Sequence, residues 1–237
     1  MADESRKKAR KAQLFKTPTR ALVKPSLQQE QRMVQVKLNG KTPWKGDQQS
    51  FAPTETSEEV KVFSIHSAFL CFYSPCFAKI FSNDSVTEIG IYGVSHGSFS
   101  TFVHWLYYQD LNKLDVDPDF FGMVLVWKLA ERFEIPTLQN AAMDYLHHLA
   151  LLPLGTEVYC CTRWGEIFDI ARESKYEVLL EFLRDNLVDT KSKELAASML
   201  KHTSPEMMVA VVLRMKESGK HMGMPAIRSA HGYHVPV

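Results

Sequence analysis

Between Val60 and Leu146 the spacing of apolar residues alternates between strand and helix patterns, and capping or turn residues mark the changes. VKVFSI alternates as a strand and ends at His66. FLCFYSPCFAKIF follows at helical spacing, with Ser74-Pro75 placed to cap and start a helix through Phe81. Asn83-Asp84-Ser85 ends it, and Ile89 and Ile91 mark a short strand. Ser95 or Ser98 can cap the next helix, which carries Phe99, Phe102, Val103 and Leu106 on one face. A turn at 115–118 leads to a helix from Phe120 to Phe133, where Val124, Trp127, Leu129 and Ala130 form an apolar surface. Glu131 and Arg132 are expected to face water. Pro136 breaks this helix and opens another, with Leu138, Ala141, Ala142, Tyr145 and Leu146 inward. Upstream, Met33–Gly40 alternates and stops at Asn39-Gly40, as a strand before a turn. Few short strands among many helices predict an α+β fold: a small sheet stabilised by helices over one face. The clustered aromatics Phe69, Phe72, Phe77, Phe81, Phe99, Phe102 and Trp105 supply a core.

Four regions are expected. Residues 1–30 read as a disordered basic arm, too poor in apolar residues to offset chain entropy. Residues 31–150 form the α+β domain, with 41–57 a loop insertion that Trp44 and Phe51 can dock. Residues 151–218 read as an all-helical extension. Its inward residues are Ile167, Ile170 and Ala171, then Leu179, Phe182, Leu183 and Leu187, then Val209, Val212 and Leu213. Thr203-Ser204-Pro205-Glu206 starts the last of these helices. Residues 219–237 lack periodicity and read as a flexible tail.

The net charge is only +1, but it is unevenly placed. Residues 1–24 hold eight Lys/Arg against two acids, whereas Glu55–Ala150 holds twelve acids against five Lys/Arg. Arg6, Lys7, Lys8, Arg10 and Lys11 make a candidate nuclear-import or nucleic-acid arm, with a solvating tail as the alternative. No zinc-finger, helix-turn-helix or basic-zipper pattern accompanies them. No apolar run approaches the ~20 residues that span a bilayer, and no membrane partner is expected. Nor does an apolar stretch follow the basic N-terminus as in a secretory signal. Cys71, Cys76, Cys160 and Cys161 lack zinc-site spacing and read as reduced thiols of an intracellular protein, with the basic arm favouring the nucleus.

The chemistry of catalysis is missing from the pattern. There is no Gly-rich phosphate loop, no Gly-x-Ser-x-Gly and no paired carboxylates around the lone acids Asp144 and Asp185. His66 is expected to close its strand and bond a nearby group. His147-His148 reads as solvated at a helix end, and His221, His231 and His234 can take up metal only weakly from a tail. No catalytic, cofactor or metal site is expected, and the chain reads as a non-enzyme.

The order of elements resembles the BTB/POZ fold. Phe63, Ile65, His66, Leu70 and Ser74 look like the family's strand end and following helix, with Phe77 and Phe81 after them. Phe102, Leu106 and Tyr107 are similar to its "Phe…Leu-x-Tyr" helix end. Leu129, Ala130, Phe133, Ile135, Pro136, Leu138 and Asn140 follow a later family pattern. The wording at 105–107 and 135–140 looks most like fungal members. Three features depart: Ser67 follows the His where a Lys is common, Gln31, Arg32 and Met33 stand where many members carry an Asp, and the loop between the first two strands is longer than the usual short turn. That Asp and Lys help form the charged pocket of some family dimers.

The resemblance implies a protein-interaction module working by docking or by pairing with itself. Val86 and Glu88 resemble the hydrophobic-x-acid group of members that bind a cullin scaffold, which implies a ubiquitin-ligase adaptor as one alternative. A nuclear regulator using the basic arm is another. Tyr108, Phe121 and Met123 are candidate interface anchors, since aromatic and Met residues are favoured in interface cores. Core packing is the competing reading, and the preferred one for Trp127.

Overall fold

A computed structural model describes residues 24–28, 31–39, 60–111, 113–114, 118–151, 163–189, 193–220 and 229–237. The basic arm (Arg6, Lys7, Lys8, Arg10, Lys11), the 41–57 insertion, and Cys160 and Cys161 lie outside them.

Three strands form one sheet in the order β2-β1-β3: β1 (Met33–Asn39), β2 (Lys61–His66) and β3 (Glu88–Tyr92). β1 is central. It runs antiparallel to β2, with Val36 opposite Phe63, and parallel to β3, with Leu38 opposite Ile91. The period-2 pattern sends Val34, Val36, Leu38, Ile65 and Ile91 into the core. Gln35 and Lys37 stay on the other face, where Lys37 pairs with Glu88 at 2.6 Å.

Short helices cover the inner face: α1 (Ser67–Tyr73), α2 (Pro75–Ile80), α3 (His96–Tyr108), α4 (Phe120–Arg132) and α5 (Pro136–Leu151). Their starts follow local chemistry. Ser74 Oγ accepts from the Phe77 N–H at 3.1 Å with Pro75 at the first helical position. Ser95, rather than Ser98, caps α3 through the Ser98 N–H at 3.1 Å, and Asp119 caps α4 through the Gly122 N–H at 2.6 Å. The α4–α5 turn holds Glu134 in the left-handed region, φ 56°.

The extension comprises α6 (Trp164–Arg172), α7 (Val178–Asp189), α8 (Lys193–Leu200) and α9 (Pro205–Lys220). It shares one continuous core with the sheet domain. Phe120 of α4 is the joint: its ring meets Trp164 at 5.4 Å and Phe182 at 6.4 Å. The fold is the expected α+β arrangement with a helical extension.

Three sequence expectations are corrected. Glu131 does not face water. Its side chain is about 10% exposed and accepts from Lys128 Nζ (2.6 Å), Ser174 Oγ (2.6 Å) and the Lys175 N–H (2.7 Å), because the α6–α7 loop folds over it. Arg132 is exposed, as expected, and donates to the Tyr92 carbonyl at 2.7 Å. The second correction is the face of α9. Met207 and Val211 pack inward, while Val209, Val212 and Leu213 point to solvent. Third, residues 229–237 are not a loose tail. A 3-10 turn, Ala230–Tyr233, buries Tyr233 against Phe182, with ring centroids 5.3 Å apart. Asn140 then holds the Val235 backbone on both sides: its Nδ2 donates to the carbonyl (3.0 Å) and its Oδ1 accepts from the N–H (2.7 Å). Side-chain anchors fix a segment that has no periodicity of its own.

Candidate interaction surfaces

The structure disperses the candidate anchors. Phe121 and Met123 are buried, 5% and 0% exposed, and cannot serve as surface anchors. They lie in the first turn of α4, which the extension covers. The Arg163 guanidinium sits 3.7 Å from the Phe121 ring centroid, a cation–π contact that closes the site from outside. Tyr108, by contrast, is 70% exposed at the end of α3, its ring 4.6 Å from that of His104.

Val86 is half-buried against the core, and its carbonyl accepts from the Arg32 guanidinium. Glu88 begins β3 and is already engaged by Lys37. Arg32 also pairs with Asp84 at 3.2 Å, and its carbonyl accepts from the Ser67 N–H at 2.9 Å and Ser67 Oγ at 3.2 Å. Ser67 and Arg32, the latter with Gln31 and Met33, belong to two of the departures noted in the sequence. Here they bond each other, and a cation stands near the position where many family members place an acid.

His66 does close its strand. Its Nδ1 lies 2.8 Å from the Tyr107 hydroxyl, and its backbone N–H donates to the same oxygen at 3.1 Å. Two residues of the family resemblance, 41 apart in sequence, thus join the strand end to α3. Burial pushes the Cys71 thiol up despite the opposing pull of nearby Arg32, so this sulfur is kept in its less nucleophilic form.

Sequence reasoning missed the outer face of α9. Val209 is 59% and Leu213 55% exposed, with Val212, Met208 and Met215 exposed beside them. The i, i+3, i+4 spacing of 209, 212 and 213 makes this one stripe. The signal was visible, but apolar residues occupy two sides of this helix, and spacing alone does not say which is covered. An exposed apolar stripe rimmed by charge is the character of a contact surface. Glu206 precedes the stripe and Lys216 ends it, both exposed. The Glu206 carboxyl is held below its ordinary range by its own backbone N–H and by the Ser204 hydroxyl, so the rim keeps its negative charge.

Among the described residues, no helix is long and apolar enough to cross a membrane. A search of curated proteins finds no match to the chain. The family model of the BTB/POZ domain matches residues 56–149. That interval holds β2, β3 and α1–α4 and nearly all of α5. With the mixed sheet under its cluster of short helices, and His66, Ser74, Tyr107 and Asn140 each making a defined contact, the chain carries a BTB/POZ domain.

Proposed function

We propose that the protein is a non-enzymatic interaction module that pairs with a second copy of itself through the outer face of α9. BTB/POZ domains bind other proteins and self-associate, which sets the class of activity. The observation that carries the choice of surface is the α9 stripe with opposite charges at its two ends. Antiparallel pairing of two α9 helices about Val211 sets Glu206 of one copy beside Lys216 of the other. It also sets Val209 beside Leu213. Such a contact is isologous, as a two-fold dimer requires. Gln31, Arg32 and Met33, and Ser67, stand where some BTB dimers carry the acid and the lysine of their charged pocket, which favours a contact elsewhere.

Solution mass by light scattering tests the reading. The wild type is expected near twice 27.1 kDa at high concentration. Val209→Glu with Leu213→Glu is expected to give monomer. Glu206→Lys weakens the dimer, and adding Lys216→Glu restores it. A monomeric wild type, or a dimer indifferent to these changes, overturns the proposal.

A further inference from the structure

We propose that Asp144, His231 and His234 form a site for a zinc ion that clips the C-terminal segment to α5. One carboxylate oxygen and one nitrogen from each imidazole lie within 4.8 Å of one another. His234 Nε2 is 2.8 Å from Asp144 Oδ1, and the two imidazole rings stand nearly perpendicular with centroids 4.8 Å apart. Tetrahedral zinc with bonds of ~2.0–2.1 Å holds its ligand atoms roughly 3.3 Å apart. The observed spacing brackets that value, so side-chain rotation of about an ångström closes the set.

The ligands come from two segments far apart in sequence, yet both are held. Asp144 projects from the middle of α5. His231 and His234 flank Tyr233, whose side chain is buried, and His234 precedes Val235, which Asn140 grips on both sides. The histidines therefore meet Asp144 on a fixed frame rather than from a free tail. This differs from the weak uptake expected of an aperiodic terminus. Two imidazoles and one carboxylate suit zinc among the abundant divalent ions, leaving the fourth position to water. The cluster is at the surface, so the ion has an entry path.

The test is calorimetric titration of the full chain with zinc, with cobalt as a spectroscopic substitute. The wild type is expected to bind one zinc with saturation, and its melting temperature to rise with zinc. Cobalt is expected to show the visible absorption of a tetrahedral site. Asp144→Asn and His231→Ala are expected to lose at least tenfold in affinity and the melting shift. All these side chains lie at the surface, so the variants keep the fold. His148→Ala and His221→Ala are expected to bind as the wild type. Absence of saturable binding overturns the proposal, as does equal binding by Asp144→Asn and His231→Ala. Loss on His221→Ala or His148→Ala overturns it as well.

Discussion

Tyr233 donates its hydroxyl to Asp185 at 2.9 Å, tying the chain's last turn to a fully buried carboxylate on α7. Arg184 and Arg214 approach the same carboxylate, each Nε at 3.2 Å from Oδ1. Asp185 is thus shared by α7, α9 and the C-terminal turn. Tyr233→Phe removes one donor to a charged acceptor and is expected to cost about 1.5 kcal/mol. Tyr233→Ala also opens a cavity beside Phe182, for about 3–5 kcal/mol. Urea denaturation checks both, and a Tyr233→Ala midpoint equal to wild type would exclude the docked terminus.

Ser74 joins two parts of the BTB domain. Its hydroxyl accepts the Phe77 N–H and donates to the Phe133 carbonyl at 2.6 Å, all in the interior. Ser74→Ala loses a helix cap and strands a buried carbonyl, for roughly 2 kcal/mol. Ser74→Gly keeps neither bond and is expected to be no better. Thermal melting measures the difference.

Glu131 and Lys128 form a nearly buried pair at the seam with the extension. Glu131→Ala leaves the ammonium with less compensation and frees Ser174 and the Lys175 N–H. The expected loss is about 3 kcal/mol. Cleavage by trypsin within 172–177 should accelerate before global unfolding does. An unchanged cleavage rate would show that the seam does not depend on Glu131.

Cys71 should alkylate slowly in the folded protein, because burial raises its thiol above the ordinary range. Denaturant is expected to speed iodoacetamide modification at Cys71 at least tenfold, read by peptide mass spectrometry. Equal rates in both states would contradict the burial.

Glu166 gives a pH dependence with a definite sign. Its bond to Arg163 holds the carboxyl below the ordinary range, with contacts of 2.5 and 2.6 Å. A lowered folded-state value adds stability above the unfolded value, and that stability is lost as pH falls through the folded one. The pair is half exposed, so solvent screening limits it to about 0.3–0.5 kcal/mol. Glu166→Gln should therefore be slightly less stable than wild type at pH 7. The two should converge on acidification below the carboxylate range.

Helix starts were legible because caps act within a few residues. Ser74-Pro75, Ser95 and Pro136 each signal their helix without help from distant sequence. The buried stripes of α6 and α7 were equally plain, since each has one apolar face. What a helix covers is a different matter. Phe121 looks the same in sequence whether solvent or the extension lies over it, and only the Arg163 guanidinium stacked on its ring decides. Glu131 reads as a surface acid until the α6–α7 loop folds onto it. The end of the chain was opaque for another reason. Tyr233 and Val235 are held by long-range bonds to Asp185 and Asn140, and such anchors leave no period behind. His231 and His234 shared that obscurity, since their meeting with Asp144 needs the anchored turn.

The family match ends at 149, but the core runs on through Trp164, Phe168, Phe182 and Tyr233, and β1 at its other end begins before the match does. The unit of kinship and the unit of folding therefore have different borders. A fragment trimmed to the matched interval would lose the sheet's central strand and lay Phe120 and Phe121 bare. It would be a sticky remnant rather than a smaller version of the same molecule.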